Sequence, residues 1–287
     1  MNGFKTFMLM LLLTAIFMIV GEYAGGKTGM MYALAAAIGT NALSYWFSDK
    51  LALASCRAQP IAEEDNPKIY QMVRSLCGNA GLPMPKIYRI PTDQPNAFAT
   101  GRDPHHSAVA VTDGIMRILD DDELEGVLGH ELTHVKNRDI LISTIAATMA
   151  GAIASLSRLA AVFGGRDNNN GRGNNALAGV IVIIFAGIAA SLIQMAVSRS
   201  REYMADAGGA KISGKPWALA NALHKLEMGV NAAPLQQTAA NETMSHMYIV
   251  CPFSADLAQR LFSTHPPTAD RIAKLNAMCD NMDNAIR

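Results

Sequence analysis

Four long stretches of the chain carry almost no charge. They cover residues 6–21, 28–48, 140–157 and about 176–198. A bilayer crossing needs about 20 apolar residues. The second and fourth stretches have that length, the third reaches it if its helix begins earlier, and the first is marginal. The pattern predicts a mainly α integral membrane protein with four apolar helices.

Two of these stretches leave alternatives open. Residues 6–21 have the composition of a signal peptide, but no A-x-A cleavage site follows and a second apolar stretch begins within ten residues. A retained membrane anchor is therefore the expectation. Residues 140–157 and 176–198 contain Ser, Thr, Ala and Gly and lie inside soluble sequence, so they could instead pack as buried helices or as a hairpin. A polar Gly/Asn-rich loop separates them.

Charge is concentrated outside the apolar stretches. The chain has 287 residues, with 24 basic and 24 acidic side chains, and 41 of these 48 charges lie outside residues 1–48 and 140–198. A balanced charge argues against a nucleic-acid partner. The four cysteines form no C-x-x-C pair, which favours reduced thiols. The predicted organisation is two transmembrane helices (1–48), the first half of a catalytic domain (49–139), two further transmembrane or hairpin helices (140–198) and its second half (199–287).

The soluble parts contain helix and strand patterns. Apolar residues at spacings of three and four predict a helix over 62–79. Short runs predict strands over 86–90, 96–100 and 107–112, the last of which alternates around Val109 and Val111. Asp113-Gly114 predicts a turn. The acidic run 120–123 predicts the start of a helix, because acidic side chains cap free N–H groups and favour the positive end of the helix dipole.

That last helix contains an H-E-x-x-H motif, formed by His130, Glu131 and His134. Residues at i and i+4 lie on one face of a helix, so the two imidazoles can bind one zinc ion. Glu131 can reach a water on the metal. Its expected role is that of a general base.

A catalytic zinc site needs a third protein ligand, and no histidine follows the motif at short spacing. Glu202 and Asp206 are separated by four residues just after the fourth apolar stretch. Glu202 is the candidate third ligand. Asp206 is the candidate acceptor for the other ring N–H of a ligand histidine.

Three further candidates come from the rest of the chain. His265 precedes two prolines and could donate to the oxyanion of a tetrahedral intermediate, although a turn or capping role is an alternative. Arg271 could orient the site. The candidate substrate-binding residues are Asn96, Ala97, Phe98 and Ala99, in a possible edge strand that would hold an extended peptide by β-addition; an ordinary core strand is the alternative.

Four strings together resemble the HtpX family of membrane-bound zinc metalloproteases: PNAFATG, HELTHVKNRD, SREYMAD and STHPPTADRI. The resemblance covers nearly the whole chain. It implies a zincin-type, gluzincin-like catalytic domain with a small β-sheet and one zinc ion per chain. The implied zinc ligands are His130, His134 and Glu202, with Glu131 as base. The implied substrates are misfolded or damaged membrane proteins, in quality control of the bacterial envelope.

Two other functions remain open on the sequence. A more distant resemblance is to prenyl-protein endopeptidases, although these have a longer chain with more spans. A zinc-binding membrane scaffold without proteolysis is the second alternative, and the intact Glu131 argues against it.

The metal ligands also restrict the topology. One zinc ion cannot be bound from both sides of a bilayer, so the number of crossings between residues 139 and 199 must be even. Ten Lys and Arg residues near the span ends lie on the catalytic side, and four lie opposite: Lys27, Arg158, Arg166 and Arg172. The positive-inside rule predicts a multi-pass protein of the bacterial inner membrane whose catalytic domain faces the cytoplasm.

Overall fold

The computed structural model describes residues 2–141, 199–232, 248–250 and 266–286. The predicted mainly α fold with a small sheet is confirmed. The helices are α1 (Asn2–Ser55), α2 (Pro67–Ala80), α3 (Asp113–Ile118), α4 (Asp121–Asn137), α5 (Arg199–Ser213), α6 (Pro216–Ala232) and α7 (Thr268–Ile286). The strands are β1 (Gln59–Pro60), β2 (Lys86–Ile90), β3 (Ala97–Asp103) and β4 (His106–Thr112).

Both N-terminal apolar stretches are helical and belong to α1. Non-helical backbone at Gly25 and Gly26 separates α1 into two halves. The halves touch, because the amide of Asn41 donates to the carbonyl of Met10 at 3.3 Å and to the hydroxyl of Thr14 at 3.0 Å. No helix within the described ranges is both long and apolar enough to cross a membrane. The predicted third and fourth apolar helices lie almost wholly outside the described residues.

The sheet has the order β1-β2-β4-β3. β4 runs parallel to β2 and antiparallel to β3, and β1 runs antiparallel to β2. The three strands expected from sequence are confirmed, with β3 extending further than predicted. Within the described strands β3 pairs only with β4, so it forms one edge of the sheet. This edge faces α4, which carries the motif.

The sheet separates two apolar clusters. The larger cluster packs α2 and α6 against α4 and includes Val73, Leu76, Val109, Leu128 and Leu223, all buried. The smaller one contains Leu53 of α1, Ile90 of β2 and Phe98 of β3. The C-terminal end of α1 therefore packs beside the sheet, and the motif helix is held in the larger core.

Two expectations from the sequence were wrong in detail. The turn predicted at Asp113-Gly114 is the first turn of α3, because the hydroxyl of Thr112 accepts the N–H of Ile115 and caps a helix. The helix predicted over 62–79 begins only at Pro67. Asn66 caps it and proline occupies its first position, where no N–H is needed.

The start of α4 follows the prediction. The side chain of Asp120 accepts the N–H of Glu123, and the side chain of Glu123 accepts the N–H of Asp120, at 3.0 Å each. This capping box satisfies two orphan donors at once. It fixes the start of α4 and hence the direction of the motif residues three turns later.

Candidate metal centre

The motif helix α4 brings its two histidines together on one face. Nε2 of His130 and Nε2 of His134 lie 3.2 Å apart, with the rings edge to face. His130 is 1% exposed as a side chain and His134 17%. Two imidazole nitrogens that converge in a nearly dry site are suited to hold one cation.

Helix α5 supplies the carboxylate of Glu202 to the same point. Its two oxygens lie 3.7 Å from Nε2 of His130 and 3.6 Å from Nε2 of His134. One ligand atom from each of the three residues lies within 4.8 Å of the others. In the described part of the chain, these residues form a His-His-Glu group with the spacing of a metal site.

Glycines allow α4 and α5 to approach this closely. A Cβ on Gly209 would lie 2.6 Å from the backbone nitrogen of His130, and a Cβ on Gly208 would lie 2.4 Å from the side chain of Thr133. Any side chain here would push Glu202 away from the histidines. We did not predict these glycines from the sequence, although the adjacent pair inside a helix, four and three residues before Ile212, was a readable signal of close packing.

Asp206 lies one turn after Glu202 and faces the other nitrogen of His130. Its Oδ1 is 2.9 Å from Nδ1 of His130. Arg271 of α7 donates to both carboxylate oxygens of Asp206, at 2.8 and 2.7 Å. Burial raises the pKa of Asp206, but the charge and hydrogen bonds of Arg271 outweigh it and lower the pKa to about 2. Asp206 is therefore an anion beside the ligand histidine.

A second carboxylate stands beside His134. Oδ2 of Asp139 lies 3.4 Å from Nδ1 of His134, and Asp139 is buried. Arg138 ends α4 in the left-handed conformation, with φ 57°, and this turn directs the next residue back towards the helix. Sequence reasoning missed Asp139. The available signal was the sequence Asn137-Arg138-Asp139, which follows the motif at the end of α4.

Glu131 points from α4 towards the edge strand. Its Oε2 accepts the backbone N–H of Ala99 at 2.9 Å, and the residue is 6% exposed. Burial raises the pKa of Glu131, and the neighbouring histidines and the Ala99 N–H counteract that rise only in part. A carboxyl group with a raised pKa is better suited than an ordinary one to accept and return a proton near neutral pH.

The segment 248–250 links the edge strand to Arg271. The N–H of Ile249 donates to the side chain of Asn96 at 3.3 Å, while its carbonyl accepts from Arg271 at 2.6 Å. Arg271 is 1% exposed as a side chain, and its guanidinium contacts Asp206 and this segment. Of the predicted substrate residues, Asn96 precedes β3, and Ala97, Phe98 and Ala99 are in β3. The other candidate, His265, lies outside the described residues.

A helix that presents two histidines and a glutamate, with a glutamate from a second helix, defines a metallopeptidase. The profile of peptidase family M48 matches residues 63–279. Relatives described as "Protease HtpX homolog" from Ralstonia nicotianae and Burkholderia mallei are each 53% identical over 277 residues. The alignments cover 96% of this chain and 96% and 97% of those relatives. The chain belongs to peptidase family M48 and, within it, to the HtpX proteases.

The fold is similar to that of a solved relative. The crystal structure of S. mikatae Ste24p matches with a TM-score of 0.54 at 15% sequence identity. The match covers 95% of this chain and 66% of that one. The two proteins therefore share a fold, with additional sequence in the Ste24p chain.

Proposed function

We propose that this chain is a zinc-dependent endopeptidase of the bacterial inner membrane that cleaves misfolded or damaged membrane proteins. The observation that carries the proposal is the convergence of His130, His134 and Glu202 within 4.8 Å of one another, with Glu131 next to them. Binding a metal ion would require only His130, His134 and Glu202. The buried carboxylate beside them supplies the base that hydrolysis requires.

The donor set fits one zinc ion. Zinc accepts imidazole nitrogen and carboxylate oxygen, and its catalytic sites use three protein ligands with one open position. The carboxylates of Asp206 and Asp139 lie against the distal nitrogens of His130 and His134. Such partners orient the rings and raise their basicity. When bound, the ion supplies Lewis acidity that activates water and polarises a carbonyl group.

Glu131 performs the proton transfers in this mechanism. Its carboxylate accepts a proton from the attacking water and later delivers that proton to the leaving amine. The low exposure of the site keeps bulk water from competing for the transfer. His265 is proposed to donate a hydrogen bond to the oxyanion. The guanidinium of Arg271 is committed to Asp206 and Ile249, so its role is to position rather than to touch substrate.

The edge strand β3 is the proposed platform for an extended peptide. An exposed edge can add a further strand through its backbone groups. Among the described strands β3 is at the edge of the sheet, and it runs past Glu131, with Asn96 to Ala99 on the approach to the metal centre. Backbone pairing would accept many sequences, which suits a protease that removes damaged proteins.

The lipid bilayer is the proposed partner of the apolar segments. Large apolar side chains on both halves of α1 are exposed, among them Phe4, Leu11, Ile19, Met31 and Ile38. Soluble proteins seldom expose so large an apolar surface. The excess of Lys and Arg on the catalytic side supports a cytoplasmic orientation.

Topology can be tested by labelling single cysteines in a cysteine-free background. A cysteine at position 169 should react from outside the cell if residues 140–198 cross the membrane twice. A cysteine after residue 276 should react only after permeabilisation. Reaction of the C-terminal cysteine in intact cells would reverse the orientation. Protection at position 169 alone would instead favour a non-spanning hairpin.

The activity is tested by purifying the protein in detergent with a chelator and then adding zinc back. We expect casein cleavage only after zinc is restored, and none by Glu131→Gln under the same conditions. Zinc binding without cleavage in the wild type would identify a scaffold instead. Cleavage restricted to prenylated peptides, with casein untouched, would identify a prenyl-protein endopeptidase.

A further inference from the structure

The backbone N–H of Ala99 bonds to the catalytic helix rather than to the sheet. It donates to Oε2 of Glu131 at 2.9 Å. In the ladder with β4, Ala99 is opposite Val109, and three positions earlier the carbonyl of Asn96 accepts the N–H of Thr112 at 3.0 Å. Hydrogen-bonded pairs alternate along an antiparallel ladder. Asn96 and Phe98 therefore direct their backbone groups to β4, and Ala99 directs its groups to the open side.

This contact fixes one carboxylate oxygen of Glu131. A glutamate has three rotatable side-chain bonds, and a base works only from a narrow range of positions. The bond joins α4 to β3, two elements that are themselves fixed by the larger core. With Oε2 bound to the strand, Oε1 remains as the oxygen that can take a proton from water.

We propose that the Ala99 backbone amide is a positioning group for the base and is reserved by Glu131, so that a bound peptide does not pair with it. The inference rests on the proposed function, in which Glu131 is the base. A peptide beside β3 then pairs with the outward backbone groups of Ala97 and with the carbonyl of Ala99. Pairing with the substrate and positioning of the base therefore use different backbone atoms of β3.

Ala99→Pro tests the proposal because proline has no N–H. Proline is accepted on edge strands where the missing N–H points away from the ladder, so the pairing of β3 with β4 should persist. We expect full metal content, a KM within about threefold of wild type and a kcat lower by roughly 100-fold, the effect of a small misplacement of a catalytic group. Ala99→Gly keeps the N–H and removes only the methyl group, so it is the matched comparison, and its kcat should exceed that of Ala99→Pro by about tenfold or more.

A second measurement does not depend on the proline variant. Hydrogen exchange resolved to single amides should show the Ala99 amide exchanging at least ten times faster in Glu131→Ala than in the wild type. The amide of Phe98, which faces β4, should not change. Equal protection of Ala99 in both proteins would overturn the proposal.

The kinetic outcomes separate this inference from the function beneath it. A wild-type kcat in Ala99→Pro, or a higher KM at unchanged kcat, overturns the positioning role if Glu131→Gln is inactive. Activity in Glu131→Gln overturns the proposed mechanism itself, and the positioning role with it.

Discussion

The two halves of helix α4 each take part in a network of charged side chains, and the two networks differ in their exposure to solvent. At its N-terminal end, Lys215 bonds to Asp122 at 2.7 Å and to Glu125, and the Lys215 and Asp122 side chains are 33% and 46% exposed. In its C-terminal half, His130 lies beside Asp206 of α5, which is paired with Arg271 of α7, and these three side chains are at most 4% exposed. Exposed ion pairs contribute about 0–1 kcal/mol, whereas loss of one partner from a buried pair costs about 3–5 kcal/mol. Burial, more than the number of contacts, decides which of these two networks tolerates substitution.

The largest effect is expected from the third metal ligand. Glu202→Ala should abolish metal binding and proteolysis together, because two histidines alone leave the site without its anionic ligand. Metal analysis of the purified variant measures this directly. Glu125→Ala, in the N-terminal half of α4 where Glu125 contacts Lys215, is the matched loss of a carboxylate and should keep full metal. Full occupancy in Glu202→Ala would place the third ligand elsewhere.

Glu131→Gln should retain metal and lose activity by about 10²–10⁴-fold or more. Glutamine has nearly the same shape and its side-chain oxygen can still accept the Ala99 N–H, but it cannot take a proton from water. Casein cleavage at equal metal content is the measurement. More than a tenth of wild-type activity would exclude Glu131 as the base.

Two arginine–carboxylate pairs compare burial directly. Arg271→Ala leaves the buried Asp206 carboxylate unpaired and should lower the free energy of unfolding by about 3–5 kcal/mol. Arg74 donates to both oxygens of Glu63 at 2.8 Å, with side chains 57% and 47% exposed. Arg74→Ala should cost about 0–1 kcal/mol. Urea unfolding of both variants measures the two losses in the free energy of unfolding. Equal losses would contradict the expectation that burial determines their size.

A smaller effect is expected when Asp206 itself is replaced. Asp206→Ala removes the group that orients His130 and should weaken metal affinity by roughly 10–100-fold, the usual effect of a partner behind a metal ligand. Competition with a chelator of known affinity measures the change. An unchanged affinity would mean that packing alone orients the His130 ring.

The smallest effect is expected when Lys215, which contacts the N-terminal half of α4, is replaced. Lys215→Met removes the bonds to Asp122 and Glu125 and should change stability by about 0–1 kcal/mol, with activity unaffected. Thermal unfolding and casein cleavage together check this. A loss above 2 kcal/mol would show that the exposed network contributes as much as a buried one.

Patterns in the sequence predicted the features that depend on residues close together in the chain. The acidic run predicted the start of α4, and the motif spacing predicted that His130 and His134 share a face. Alternation predicted β4. Each of these depends on residues within a few positions of one another, so the sequence carries the whole signal.

The contacts that sequence reasoning missed depend on distant partners or on a single backbone turn. The bond from Ala99 to Glu131 needs the docking of β3 against α4. The role of Asp139 depends on the left-handed turn at Arg138. Asp206 was predicted to face a histidine, but its pairing with Arg271, 65 residues later, depends on how α7 packs.

The close packing of α4 against α5 has a consequence for the order of events in biosynthesis. His134 and Glu202 are 68 positions apart in the chain, so the third ligand leaves the ribosome well after the first two. Closing so long a loop costs conformational entropy, and this cost is offset only when α5 packs against α4. A half-made chain therefore lacks its anionic ligand, and the protease should become active only once its own folding has brought α5 to α4. Incomplete chains of this protease should therefore be unable to cleave other proteins.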